Sequence, residues 1–323
     1  MSANMAPMRQ PESSPLISTD QLAADLAAAP ADNADSADRA DPADRAPIVL
    51  DIRWKLGEPS EYGHEEYLKG HIPGARYVSL DQDLAEHPDS PVGARGRHPL
   101  PDPGRFAAAM RRAGVRTDRP VVVYDGGDST QAARAWWLLR HHGHPDVRVL
   151  DGGLAAWSAA GGPVEQGEAP AGAAGAAEAA EGDFAPAGRG VFTVLDHDGA
   201  AAVAASGTLL DARAGARYRG ETEPIDPAAG HVPGAVSAPT TENLDADGRF
   251  RSAVALKERF ARLGSGAWDA DGVAVYCGSG VTATHEILAM AVAGISPESV
   301  ALYEGSWSGW ASDPSRPVAT GQA

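Results

Sequence analysis

Short unbroken apolar runs recur along the chain. Ile48-Val49-Leu50 and Val121-Val122-Val123-Tyr124 stand in the first half, Leu209-Leu210 and Val273-Ala274-Val275-Tyr276 in the second. Runs of this length, closed by polar residues or glycine, read as strands buried on both faces. Longer stretches between them carry apolar residues on one side. The spacing predicts a helix over 132–142, with Trp136, Trp137, Leu138 and Leu139 on its apolar side and Gly143 at its C-cap. It predicts an equivalent over 282–292, with Ile287, Leu288, Ala291 and Val292 apolar. Strands alternating with helices imply an α/β class, a mainly parallel sheet flanked by helices.

The two halves repeat each other. Asp51 and Asp211 each close an apolar run, and each is followed two residues on by an arginine, Arg53 or Arg213. Gly70-His71-Ile72-Pro73-Gly74-Ala75 returns as Gly230-His231-Val232-Pro233-Gly234-Ala235, again at an offset of 160. The strand ending at Tyr124 returns at Tyr276 with offset 152, and Asp151-Gly152 with Trp157 returns as Glu304-Gly305 with Trp310 at 153. Four landmarks in one order indicate a duplicated fold. Two units follow, 46–164 and 191–316. Residues 1–45, rich in Ala and Asp with few large apolar groups, read as a disordered tail. Residues 165–190, an Ala/Gly/Glu stretch, read as a linker.

Composition narrows the function. The 323 residues carry a formal charge of −17, which argues against a nucleic-acid or polybasic membrane-surface partner. No window approaches the ~20 continuous apolar residues of a membrane span. The amino-terminal residues lack the apolar core of a secretory signal, so a cytoplasmic protein is expected. Cys277 is the single cysteine, which excludes an internal disulfide and a Cys-based zinc cluster. His141-His142-Gly143-His144 sits at a helix carboxyl end, where cations complement the dipole. No cysteine or carboxylate completes a ligand set there, and no metal is expected. Phosphate-loop and dinucleotide fingerprints are missing as well, so no cofactor is expected.

Cys277 follows a buried strand and opens the loop Gly278-Ser279-Gly280-Val281-Thr282, from which a helix starts. Two glycines let successive amide N–H groups turn inward, and the helix start adds partial positive charge. Such a nest favours the thiolate of a cysteine at its centre, and it can hold an anionic group carried on the sulfur. A buried, inert cysteine at a strand end is the bland alternative.

Cys277-Gly278-Ser279-Gly280-Val281-Thr282-Ala283, the two Gly-His-(Ile/Val)-Pro-Gly-Ala turns and Asp211-Ala212-Arg213 with Arg217-Tyr218 resemble the two-domain rhodanese family, the thiosulfate and 3-mercaptopyruvate sulfurtransferases. The resemblance covers about 46–316. It implies tandem rhodanese-like domains and a ping-pong sulfur transfer. Cys277 would take the outer sulfur of a small anionic donor as a persulfide and pass it to cyanide, a small thiol or thioredoxin. The first copy has Asp125 where the second has Cys277, which implies a catalytically silent first domain. Arg217 falls at the family's substrate-binding position, and its planar fork suits a carboxylate or sulfonate. Arg219, two residues on, could point the same way on extended backbone; Arg213 fits a structural pair with Asp211.

Donor cues conflict. Cys-Gly-Ser-Gly resembles mercaptopyruvate enzymes, in which a Ser–His–acid relay has been proposed. Ser279 matches its serine and His71 its histidine, with Glu61, Glu65 and Glu66 as candidate acids. His71 and His231 recur in both copies, which equally fits turn histidines with local hydrogen bonds. Against mercaptopyruvate, the second arginine expected nine residues after Arg217 is Asp226. Two rival functions stand beside sulfur transfer. A phosphatase would need an arginine at Ala283, and a non-catalytic sulfur-binding module would have no use for Cys277.

Overall fold

The computed structural model describes residues 14–28, 46–86, 93–168, 181–188, 190–264 and 272–322. The first unit runs β1 (Leu16–Ile17), α1 (Thr19–Ala28), β2 (Ile48–Asp51), α2 (Tyr62–Lys69), β3 (Arg76–Tyr77), α3 (Leu80–Asp83), α4 (Pro103–Arg112), β4 (Val121–Tyr124), α5 (Thr130–His141), β5 (Val147–Leu150) and α6 (Gly153–Ala159). The second runs β6 (Val194–Leu195), α7 (His197–Ser206), β7 (Thr208–Asp211), α8 (Gly215–Tyr218), β8 (Val236–Ser237), α9 (Ala253–Leu263), β9 (Val273–Tyr276), α10 (Thr282–Val292), β10 (Val300–Tyr303) and α11 (Ser306–Ala311).

Each unit builds a five-stranded sheet, ordered β1-β5-β4-β2-β3 and β6-β10-β9-β7-β8. All strand pairs within them are parallel. The two apolar runs predicted as strands coincide with β4 and β9, and both are buried throughout. Parallel strands covered by helices on both faces need this continuous apolarity. Helix α10 spans the predicted residues, and α5 starts two residues before its predicted start.

These two helices are apolar beyond one side. Residues 132–139 of α5 and 283–290 of α10 are buried, as expected of a helix covered all round. They pack on each other, and one apolar core containing Trp136, Trp137, Leu138, Ile287, Leu288 and Met290 runs through both units. The units are therefore docked on each other, which matters for the site below. No helix among the described residues is long and apolar enough to cross a membrane.

The flanks differ from the sequence reading. Residues 14–28, expected in the disordered tail, are ordered. Leu16 and Ile17 pair with Val149 and Leu150 at the open edge of the first sheet. Ile17 and Leu22 are buried beside Val122, Leu150 and Trp157. Four apolar side chains, Leu16, Ile17, Leu22 and Leu26, suffice because a ready-made strand edge receives them. The second unit has the same start in β6 and α7, so the duplication includes this strand–helix pair. The rest of the expected tail, 1–13 and 29–45, lies outside the described residues.

The linker is likewise fastened at both ends. Glu165 forms an antiparallel bridge with His71, and Phe184 is buried edge-on to Phe106. Its middle, 169–180, lies outside the described residues. A matching bridge joins His231 to Ala319, so the second unit runs past 316.

Candidate active site

Parallel α/β sheets gather functional loops at the carboxyl ends of their strands. Cys277 stands directly after β9, and its counterpart Asp125 stands directly after β4. Docking of α5 on α10 turns the two loops toward one pocket of about 720 Å³, lined among others by Arg97, Gly127, Arg213, Arg217, Gly278, Ser279 and Thr282.

The Cys277 loop is held in shape from below. Gly280 has φ +81°, and a Cβ there would lie 2.9 Å from the Glu304 carbonyl, so glycine is required. That turn directs the Gly280 N–H to Cys277 Sγ at 3.2 Å. Ser306 Oγ accepts from the Cys277 N–H, while Trp307 and Ser308 N–H groups donate to the carbonyls of Cys277 and Gly278. The amino end of α11 thus clamps the loop. Cys277 is only 1% exposed, deeper than an open nucleophile would be. Above the loop, a Cβ built on Gly278 would lie 3.2 Å from Arg97 Nη2 and 3.5 Å from Arg217 Nη1. Two guanidinium groups roof the residue after the cysteine.

The first unit repeats the nest with its own anion inside. Asp125 Oδ1 accepts from the N–H groups of Gly127 and Ser129, and Oδ2 from those of Gln131 and Ala132, all at 3.0–3.1 Å. Burial, with Asp128 nearby, still pushes the Asp125 carboxyl up to about 6. The first copy's loop closes four amides on a carboxylate; in the second, the Gly280 amide reaches Cys277 Sγ.

Ser279 has a histidine partner, but it is His98 and not His71. The Ser279 hydroxyl lies 2.8 Å from His98 Nδ1, and His98 Nε2 faces Asp81 Oδ1 at 3.6 Å. Trp54 Nε1 donates to Asp81 Oδ2 at 2.9 Å and packs edge-on to the His98 ring. Burial, aided by Arg134 and Arg97, holds His98 below the usual histidine range despite Asp81. Asp81 is pushed up by burial, but its bonds to His98 and Trp54 outweigh this and leave it below the usual carboxylate value. The imidazole is therefore neutral near pH 7. With Nε2–H turned to the carboxylate, Nδ1 is left to accept from the serine.

His71 is buried instead against Tyr67, its Nδ1 3.0 Å from the Tyr67 carbonyl and its ring stacked at 3.9 Å. His231 repeats this on Tyr218. The reason is topological. The Gly-His-Ile-Pro-Gly turn precedes β3 and so lies at the amino end of the parallel sheet, whereas Asp81 follows β3 and lies at the carboxyl end. The sequence signal for Asp81 was that position, four residues past the strand; His98, in the loop before α4, carried none.

The arginines sort in the same way. Arg217, on α8, lines the pocket and is bonded to Glu223 at 2.6 Å and Asp226 at 3.2 Å. Arg219 does not join it. The backbone there is helical, so two residues turn a side chain by ~200°, and Arg219 pairs with exposed Glu221 at 2.7 Å. Arg213 is the structural pair expected, bidentate to Asp211 and capping the Gly230 carbonyl, as Arg53 does with Asp51 and Gly70. Two arginines of the first unit went unread in the sequence. One is Arg97 in the roof. The other is Arg134 on α5, wholly buried, which donates to the carbonyls of Gly280, Leu84, His98 and Pro99.

Among the described residues no group of three or more His, Cys, Asp or Glu could hold a metal. His141 is not a dipole-complementing cation. Burial, with His142 and Arg134 beside it, pushes it down to about 4, and it stacks on Trp137 as a neutral packing residue.

Comparison with known proteins agrees with this geometry. The Rhodanese-like domain family matches residues 33–160 and 196–313. The chain belongs to the rhodanese-like family, as a two-domain sulfurtransferase. It is 47% identical over 281 residues to a probable 3-mercaptopyruvate sulfurtransferase of Pseudomonas aeruginosa, covering 85% of this chain and 92% of that one. It is 45% identical over 276 residues to SseB of Mycobacterium tuberculosis, a putative thiosulfate sulfurtransferase, covering 85% and 91%. Among solved structures it is similar to SseA from Escherichia coli, described under 3-mercaptopyruvate sulfotransferases. The TM-score is 0.69 and the identity 32%, with 91% of this chain and 99% of that one covered. Both rhodanese-like domains match, and the cysteine lies in the second.

Proposed function

We propose that this sulfurtransferase moves the sulfur of 3-mercaptopyruvate through a Cys277 persulfide to a thiophilic acceptor such as cyanide, a small thiol or reduced thioredoxin. The observation that carries the reading is His98, set between Ser279 and Asp81 beside the Cys277 loop. The Cys277 thiolate attacks the donor sulfur, a S–S bond forms and the donor C–S bond breaks. The electron pair leaves on carbon as the enolate of pyruvate, and that carbanion needs a proton. As Cys277 ionises, neutral His98 can take up a proton at Nδ1 with Asp81 steadying the imidazolium, and that proton returns through the Ser279 hydroxyl to the carbon. The loop amides stabilise the persulfide anion. An acceptor such as cyanide then takes the outer sulfur and returns the thiolate. Asp125 cannot carry sulfur, so the first domain is silent in this chemistry and serves as wall and relay. A cytoplasmic setting, where thiols stay reduced, suits the single cysteine.

Thiosulfate is the second reading, favoured by the arginine roof. Its leaving sulfite needs no proton, which separates the two donors. After exposure to either donor the intact protein should gain one sulfur, about 32 Da; a non-catalytic module gains none. Mercaptopyruvate should be the faster donor in side-by-side rates. His98→Gln should lower mercaptopyruvate turnover about 100-fold and thiosulfate turnover far less. An equal fall for both donors would place His98 in loop support rather than proton transfer.

A further inference from the structure

Sequence spacing places an acid, Asp226, where a second donor arginine was expected. The structure finds that second arginine in the other domain and shows what the acid does. Arg97 Nη1 donates to Asp226 Oδ1, and Arg217 Nη2 donates to Asp226 Oδ2 at 3.2 Å. Asp226 is 3% exposed and sits between the two guanidinium groups that roof Gly278. Glu223 takes the other side of Arg217 and also reaches Arg213. Three guanidinium groups, Arg97, Arg213 and Arg217, thus face three carboxylates, Asp211, Glu223 and Asp226, and the cluster is neutral. An arginine pair meant to bind an anion is already holding one.

We propose that Asp226 is a built-in competitor for the donor's anionic group: it stands between Arg97 and Arg217 where that group must sit, and a donor reaches Cys277 only by displacing it. The proposal rests on the sulfurtransferase reading above and deepens it. It accounts for the depth of Cys277, because the bridge that must open also draws the first domain down on the second. It also gives a selectivity. The carboxylate penalises each negative charge brought into the pocket, so the dianion thiosulfate is disfavoured more than the monoanion mercaptopyruvate.

Asp226→Asn keeps the shape and raises the cluster charge by one. It should lower the thiosulfate KM about tenfold and the mercaptopyruvate KM about threefold, with the change in KM rather than kcat. Arg97→Ala and Arg217→Ala should raise both KM values about tenfold. Acidity offers a second reading of the same group. Burial and neighbouring Glu223 raise the Asp226 carboxyl, while Arg97 and Arg217 pull it down, and the balance lies above the usual aspartate value. Protonation removes the competing charge, so the wild-type thiosulfate KM should fall as the pH is lowered, and Asp226→Asn should lack that slope. Thermal melting controls for folding. Calorimetric binding of thiosulfate to Cys277→Ser, with and without Asp226→Asn, tests the competitor without turnover. Tighter binding in the double variant supports the proposal even if the wild type transfers no sulfur, in which case the donor reading alone fails. Unchanged or weaker thiosulfate binding in the double variant, or an unchanged KM in Asp226→Asn, overturns it.

Discussion

Cys277→Ser is expected to abolish sulfur transfer and to leave the fold intact. The substitution exchanges one atom. Gly280 N–H, 3.2 Å from Sγ, can donate to a hydroxyl oxygen as it does to sulfur, so the new polar atom is partnered in a buried place. The loop's other supports, from Ser306, Trp307 and Ser308, are backbone contacts that the side chain does not touch. The stability change should stay within ~1 kcal/mol. The expected loss of chemistry has a different reason. A serine hydroxyl remains protonated near neutrality and forms no S–S bond, and no second cysteine exists to take over. Turnover with either donor should fall by more than about a thousandfold, and the mass gain of one sulfur should vanish. A variant retaining a tenth of wild-type turnover would mean that the sulfur travels by a route without a protein persulfide.

Arg134→Met has the second largest expected effect, and it falls on stability as well as rate. Arg134 is wholly buried, and all its hydrogen bonds run to backbone carbonyls: Gly280 at 3.0 Å, His98 at 3.1 Å, Leu84 at 3.2 Å and Pro99 at 3.3 Å. Burial lowers the guanidinium to about 10, with the charges of Glu304 and Cys277 acting the other way. Methionine fills the apolar stem and strands three acceptors, the carbonyls of Gly280, Leu84 and His98, while Pro99 keeps the Glu86 N–H. At ~1–3 kcal/mol for each unsatisfied buried group, less the relief of discharging the site, the loss should be about 4 kcal/mol. That corresponds to a drop in Tm of about 10 °C. Because one side chain ties the His98 segment to the Gly280 turn, the serine–histidine contact loosens too, and mercaptopyruvate turnover should fall further than thiosulfate turnover. Arg134→Lys keeps the charge but cannot span four carbonyls, so it should recover only part of either loss. A melting shift under 2 °C for Arg134→Met would show that the network carries little.

Both effects depend on the two domains differently. The cysteine loop is a local device of the second domain, whereas Arg134, His98, Asp81 and Arg97 arrive from the first. The first domain's copy of the loop has Asp125 where the second has Cys277, and its cradle is filled by that carboxylate, held by four amides. The first domain then furnishes the groups that surround the Cys277 loop of the second.

This division matches what could be read without coordinates. Strands β4 and β9, helix α10, the duplication, the Cys277 loop and the Asp211–Arg213 pair were legible in the chain itself. Each is written in contiguous residues: an unbroken apolar run, a 3.6-residue pattern, glycines beside one cysteine, an acid two residues from an arginine. Leu16–Ile17 escaped because two apolar residues are a strand only where a sheet edge awaits them. The resemblance offered His71 as a partner for Ser279 beside its reading as a turn histidine; the end of the sheet on which each histidine lies, which no local pattern records, makes that partner His98. Sequence determined which sulfur atom the proposed transfer would use and the loop in which it stands. Packing of α5 on α10 decided which histidine, which carboxylates and which arginines stand around that atom, because contacts across a domain interface leave no periodic mark on either segment that makes them.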